Sequence, residues 1–127
     1  MPITVTAAGP IPNYFGKPNK GQRASAQEVI KKLDYADIWR NRQQTLYDNG
    51  TMRLDIQGTI PGPPERQNLQ VQVDGVKGHS TVAHADVSST IQTTDPANQR
   101  GVVRKVQSAL MQSLDSGNSY DVRGTSP

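Results

Sequence analysis

From Met52 to Ile91 the chain alternates apolar and polar residues in three successive runs, and that period of two constrains the fold more than any other feature. Met52-Arg53-Leu54-Asp55-Ile56-Gln57 places its apolar side chains on one face. Gln67 to Asp74 alternates without a fault, with Leu69, Val71 and Val73 on one side and Asn68, Gln70 and Gln72 on the other. Thr81 to Ile91 repeats the pattern, setting Ala85, Val87, Ser89 and Ile91 against His84, Asp86, Ser88 and Thr90. Runs of this kind are half-buried strands of an antiparallel sheet, packed on one face and polar on the other. Asp48-Asn49-Gly50 turns the chain into the first run, and Asp74-Gly75 turns it between the second and third. Gly58 to Pro64 is too rich in proline to pair in a sheet and reads as a loop.

The flanks carry helical signals. Ser25 with Glu28 forms a capping box, and Val29, Ile30, Leu33 and Ala36 recur at helical spacing, which predicts a helix over 25–40. Tyr35, Ile38 and Trp39 broaden its apolar face and would suit a strand equally. Further on, Thr94-Asp95-Pro96 is an N-cap followed by proline at the first helical position. Val102, Val103, Val106, Ala109, Leu110 and Leu114 then form one stripe, predicting a helix over 95–115. Burying that stripe contributes on the order of 10 kcal/mol, and a helix of this length is marginal alone in water, so it must pack on the sheet. Ile3 to Thr6 reads as a short strand, whereas residues 116–127 are polar and read as a tail. The expected architecture is one α+β domain over 1–127. Its parts are N-terminal strands and loops (1–50), central strands (51–92), a helix (95–115) and the tail, arranged as an antiparallel meander with the helix on one face.

Hydrophobic residues make up only 33% of the 127 positions, so the core is expected to be thin and to need a second copy for further burial. With no cysteine, disulfides, thiolate metal sites and cysteine nucleophiles are excluded. No run of ~18 apolar residues exists, and Met1 to Thr6 has neither the basic nor the apolar region of a signal peptide. A soluble chain with no membrane partner is the expectation. The only histidines are His79 and His84, without metal-ligand spacing, and the glycines at 58, 62, 75 and 78 sit in turns rather than in phosphate loops. No enzyme, cofactor, metal or small-molecule substrate is therefore expected.

Net charge is +3, and the excess lies between Lys17 and Arg53, where eight bases face four acids. A solvated basic face explains this, as does a nucleic-acid partner. The polar positions of the three strands, Arg53, Asp55, Gln57, Asn68, Gln70, Gln72, His84 and Asp86, would form one hydrogen-bonding platform. Amide and imidazole groups suit the exposed bases of RNA loops, although the solvated side of any one-sided sheet shows the same pattern.

Arg66-Gln67-Asn68-Leu69-Gln70-Val71-Gln72-Val73, together with Ala83-His84-Ala85-Asp86-Val87, Thr94-Asp95 and the helix through Arg104, Leu110 and Ser113, resembles the coat proteins of single-stranded RNA bacteriophages, the leviviruses. The likeness covers Met52 to the C-terminus. It implies an intertwined homodimer with a continuous intersubunit sheet, whose C-terminal helices cross onto the partner and which assembles into an icosahedral capsid of T=3 type. The resemblance further implies packaging of genomic RNA in the bacterial cytoplasm, residence in the virion, and repression of translation through an RNA hairpin bound on the platform. A nonviral dimeric nucleic-acid-binding module without shell assembly is the rival reading, and a small-ligand enzyme or accessory domain a third.

Overall fold

The computed structural model describes residues 3–11, 19–40, 52–58, 67–92 and 94–125, with only the backbone described at 67, 68 and 125. The elements run β1 (Thr4–Pro10), α1 (Lys20–Lys31), α2 (Tyr35–Trp39), β2 (Arg53–Gln57), β3 (Gln67–Lys77), β4 (Ser80–Ile91), α3 (Pro96–Ser116) and β5 (Asn118–Thr125). They build an α+β fold on a five-stranded sheet of order β1-β5-β4-β3-β2.

The sheet is mixed, not the expected antiparallel meander. β2, β3 and β4 form antiparallel neighbours as the alternation predicts, but β5 lies parallel to β4, from Ala85 opposite Tyr120 to Thr90 opposite Thr125. β1 closes the other side, antiparallel to β5. Residues read from sequence as a tail thus form an internal strand. The parallel pairing requires a crossover, and α3 provides it. Gly117 ends the helix in the left-handed region at φ 78° and turns the chain straight into β5.

The second correction concerns the β3–β4 turn. β3 does not stop at Asp74-Gly75 but continues to Lys77, and the chain turns at Gly78-His79, where Gly78 has φ 62°. Gly75 is a packing position: a Cβ there would meet the Met52 sulfur and the Ala83 Cβ, each at 3.2 Å. The segment expected as one helix over 25–40 is two. α1 starts earlier, at an Asn19/Gln22 capping box, and α2 starts afresh at Asp34, whose carboxylate accepts from the Asp37 N–H at 3.1 Å. The expected Asp48-Asn49-Gly50 turn and all but Gly58 of the 58–64 loop lie outside the described residues.

All three helices contribute to one apolar cluster with the inner face of the sheet. Val29, Ile30, Leu33 and Ile38 from α1, α2 and their link meet Val102, Val106, Leu110 and Leu114 of α3 over Leu54, Val71, Val73 and Val87. Val102, Val106, Ala109, Leu110 and Leu114 of α3 are 0–1% exposed within the single chain, already packed on its own sheet and helices.

Polar groups inside this seam are matched across elements. Gln107 donates from its side-chain amide to the Ile30 carbonyl at 3.1 Å, satisfying the last turn of α1. Ser113, fully buried, accepts the His84 N–H at 2.8 Å where β4 reaches beyond the start of β5. Ser113→Ala is therefore expected to lower the free energy of unfolding by about 1–3 kcal/mol by orphaning that N–H. Gly101→Ala, in mid-helix with open space where a Cβ would sit, is expected to raise it by about 0.5–1 kcal/mol. Urea denaturation of both variants checks the pair.

Candidate functional site: the polar face of the sheet

Because Leu54, Ile56, Val71, Val73, Ala85, Val87 and Val122 point into the core, their neighbours along each strand point the other way. Cross-strand register then brings specific groups side by side. Asp55 stands opposite Asp74, and Asp74 opposite His84. Gln57, Gln72, Asp86 and Asp121 form the next row, and Gln70, Ser88 and Arg123 the one after it.

His84 is the centre of this face. Its Nδ1 bonds the Asp74 carboxylate across the β3–β4 pair, and its Nε2 lies 3.0 Å from Asp86 Oδ1 two residues along its own strand. Gln72 steadies the other Asp74 oxygen by donating its amide to Oδ2 at 3.0 Å. With a carboxylate at each ring nitrogen, the imidazole is held as a cation. The hydrogen bond to Asp74 is the largest cause, and together with the charges of Asp74 and Asp86 it outweighs the opposing cost of burial, lifting the pKa to about 9.

Two further cations of the face are paired as well. Arg53 Nε bonds Asp55 Oδ1 at 2.9 Å, and an Arg123 NH2 donates to Asp121 Oδ2 at 2.9 Å. The face thus alternates charge in short internal pairs. Beside these pairs lies a depression of about 430 Å³, lined among others by Gln57, Gln70, Gln72, Asp86 and Ser88. Gly58 borders it at φ 109°, and a Cβ there would meet the Gln70 carbonyl at 2.6 Å. Only glycine lets the chain leave β2 so close to β3.

The platform read from sequence is therefore present, with a different electrical character. Arg53, Asp55, Gln57, Gln70, Gln72, His84 and Asp86 share one face, and the Asn68 backbone lies on it opposite Thr90, its side chain outside the described atoms. Sequence reasoning missed Asp74, because it was assigned to a turn, and Asp121 and Arg123, because β5 was assigned to a tail. The alternation Ser119-Tyr120-Asp121-Val122-Arg123 is the signal that finds the latter two. No group of three or more His, Asp or Glu able to hold a metal occurs among the described residues.

The sign of the His84 shift fixes a pH dependence. A group whose pKa rises on folding, here from an ordinary 6.5 to about 9, stabilises the fold fully below pH 6.5, and that contribution disappears as pH climbs through 9. Between pH 6 and pH 9.5 the wild type is expected to lose on the order of 2 kcal/mol that His84→Gln does not lose. Urea denaturation of both proteins at the two pH values checks this; identical slopes would contradict it.

Comparison with known proteins replaces the phage reading. Residues 4–125 match the family model described as Differentiation-associated protein 2. Differentiation-associated protein 2 of Dictyostelium discoideum is 33% identical over 99 residues, a match covering 73% of this chain and 65% of that protein's length. No solved structure matches the chain. The family match spans nearly all the described residues, where the levivirus likeness spanned Met52 onward, and it overturns the capsid, virion and genomic-RNA assignments together with the hairpin operator. The chain belongs to the differentiation-associated protein 2 family.

Proposed function

We propose that this chain is a nonviral, noncatalytic binding module whose polar sheet face takes an uncharged, hydroxyl-rich ligand such as a saccharide. The observation that carries the reading is the pairing of cations on that face. Among the described residues of the central face, Arg53, His84 and Arg123 are each paired with carboxylates beside them, and Asp86 and Asp121 stand side by side, a pairing that disfavours a phosphodiester there. Beside Asp86, the depression offers neutral donors and acceptors: the Gln57 and Gln70 amides, the Ser88 hydroxyl, and the Gln72 amide that also donates to Asp74. Adjacent hydroxyls of a sugar match amides that donate and accept side by side.

The noncatalytic part of this reading is supported by how His84 is held. His84 is the one group on the face with a pKa near neutrality in its free state, and both of its ring nitrogens already face carboxylates as a cation. An imidazolium so held has no lone pair with which to accept a proton.

A nucleic-acid-binding module is the second reading, favoured by a different surface. Lys20, Lys32, Arg100, Arg104 and Lys105 lie exposed on the helix layer and form no ion pair among the described residues. Dimerisation, in either reading, uses a sheet edge, because β1 and β2 are the outer strands among the described residues and the helix seam is closed.

Backbone and side-chain amide NMR spectra separate these readings. Titration with a panel of neutral hexoses, N-acetylhexosamines and their oligomers is expected to shift Gln57, Gln70 and Gln72 amides, and Gln70→Ala with Gln72→Ala should abolish the response. A 20-nucleotide oligouridylate is expected to leave those resonances in place. No response to any saccharide, or an RNA response on the sheet face, overturns the proposal; an RNA response confined to α1 and α3 supports the second reading.

A further inference from the structure

On the opposite side of the molecule, a cleft of about 260 Å³ opens where the link between α1 and α2 meets the first half of α3. Leu33, Tyr35 and Val103 give it apolar walls, and Arg100 and Arg104, one helical turn apart on α3, stand at its rim. Both arginines are exposed and neither forms an ion pair among the described residues. The single acid at the cleft, Asp34, already accepts the Asp37 N–H as the cap of α2. The cleft thus combines an apolar body with an excess of cationic donors.

Tyr35 supplies an independent observation. Its hydroxyl is shielded from water and has no hydrogen-bond partner among the described residues. Burial pushes the phenol pKa up, so the group remains a protonated donor. A shielded hydroxyl without a partner is costly, and an acceptor delivered through the cleft relieves that cost.

We infer that this cleft binds a small amphipathic carboxylate, an acid with an aromatic or branched aliphatic body, its hydrophobic part against Leu33, Tyr35 and Val103 and its carboxylate between Arg100 and Arg104. Planar guanidinium groups match a carboxylate with two parallel hydrogen bonds, and an apolar wall selects against a simple inorganic anion. Binding would then draw the shielded Tyr35 hydroxyl toward the acid by a side-chain rotation. This site is separate from the sheet face and does not depend on the reading of that face.

The test is an NMR titration of the whole chain with 4-phenylbutyrate, 4-phenylbutyramide and inorganic phosphate. Phenylbutyrate is expected to shift the amides of Leu33 to Tyr35 and Gln99 to Arg104 saturably. The neutral amide should bind at least about tenfold more weakly, as should phenylbutyrate to the exposed, fold-neutral double variant Arg100→Gln with Arg104→Gln. Tyr35→Phe is expected to raise the melting temperature while weakening phenylbutyrate binding, a split that a purely structural hydroxyl does not give. The proposal is overturned by the absence of saturable shifts up to about 10 mM ligand, by equal binding of acid and amide, or by phosphate alone producing the same response. Unchanged phenylbutyrate affinity in Tyr35→Phe would remove the hydroxyl from the site.

Discussion

The apolar seam between α3 and the central strands is the interaction on which the rest of the structure depends. Val102, Val106, Leu110 and Leu114 are sealed against the inner side chains of the sheet, and the same helix carries the chain from β4 back to β5 as a parallel neighbour. Because α1 and α2 join this layer, through Gln107 at the end of α1 and the Arg23–Asp115 pair at its start, every helix among the described residues sits on one side. The other side of the sheet is left to polar groups. A fold with few apolar residues thus gathers them on one face of the sheet.

That asymmetry sets the electrostatics. Strand register puts Asp55, Asp74, Asp86 and Asp121 on one surface, where like charges side by side are destabilising. Arg53, His84 and Arg123 are the counterweights, each within a short hydrogen bond of a carboxylate. His84 has the largest part because it serves two carboxylates at once. A neutral imidazole would leave Asp74 and Asp86 facing each other across the ring with one donor between them. The protonated ring is therefore a structural element of the sheet face, with neutral amides beside it.

How much of this was legible in the sequence follows from which signals are local. The alternation at 53–57 and 67–74 and the stripe from Val102 to Leu114 are carried by neighbouring residues, and the corresponding strands and helix are present. β5 was not legible in the same way. Tyr120 and Val122 are its only large apolar residues, between Gly117 and Gly124, and its pairing with β4 is set by a crossover of more than 20 residues. Asp74 was misassigned because Asp-Gly is a strong turn signal, yet Gly75 is required by the close approach of Met52 and Ala83. The Ser25/Glu28 pattern has the form of a capping box, but the helix starts six residues earlier at Asn19/Gln22, a start that includes Arg23, which bonds Asp115 of α3, within the helix. The levivirus likeness combined short residue runs such as Arg66 to Val73 with an order of strands and helix that is shared by folds differing in how the last segment returns.

The claim that the sheet face is neutralised from within stands or falls on the charge of His84. Nitrogen-15 NMR of the imidazole ring across a pH series measures it directly. The account predicts that both ring nitrogens of His84 carry protons at pH 7.5 and that the ring titrates near 9. A neutral ring at pH 7.5, titrating at or below the ordinary histidine value, would contradict it.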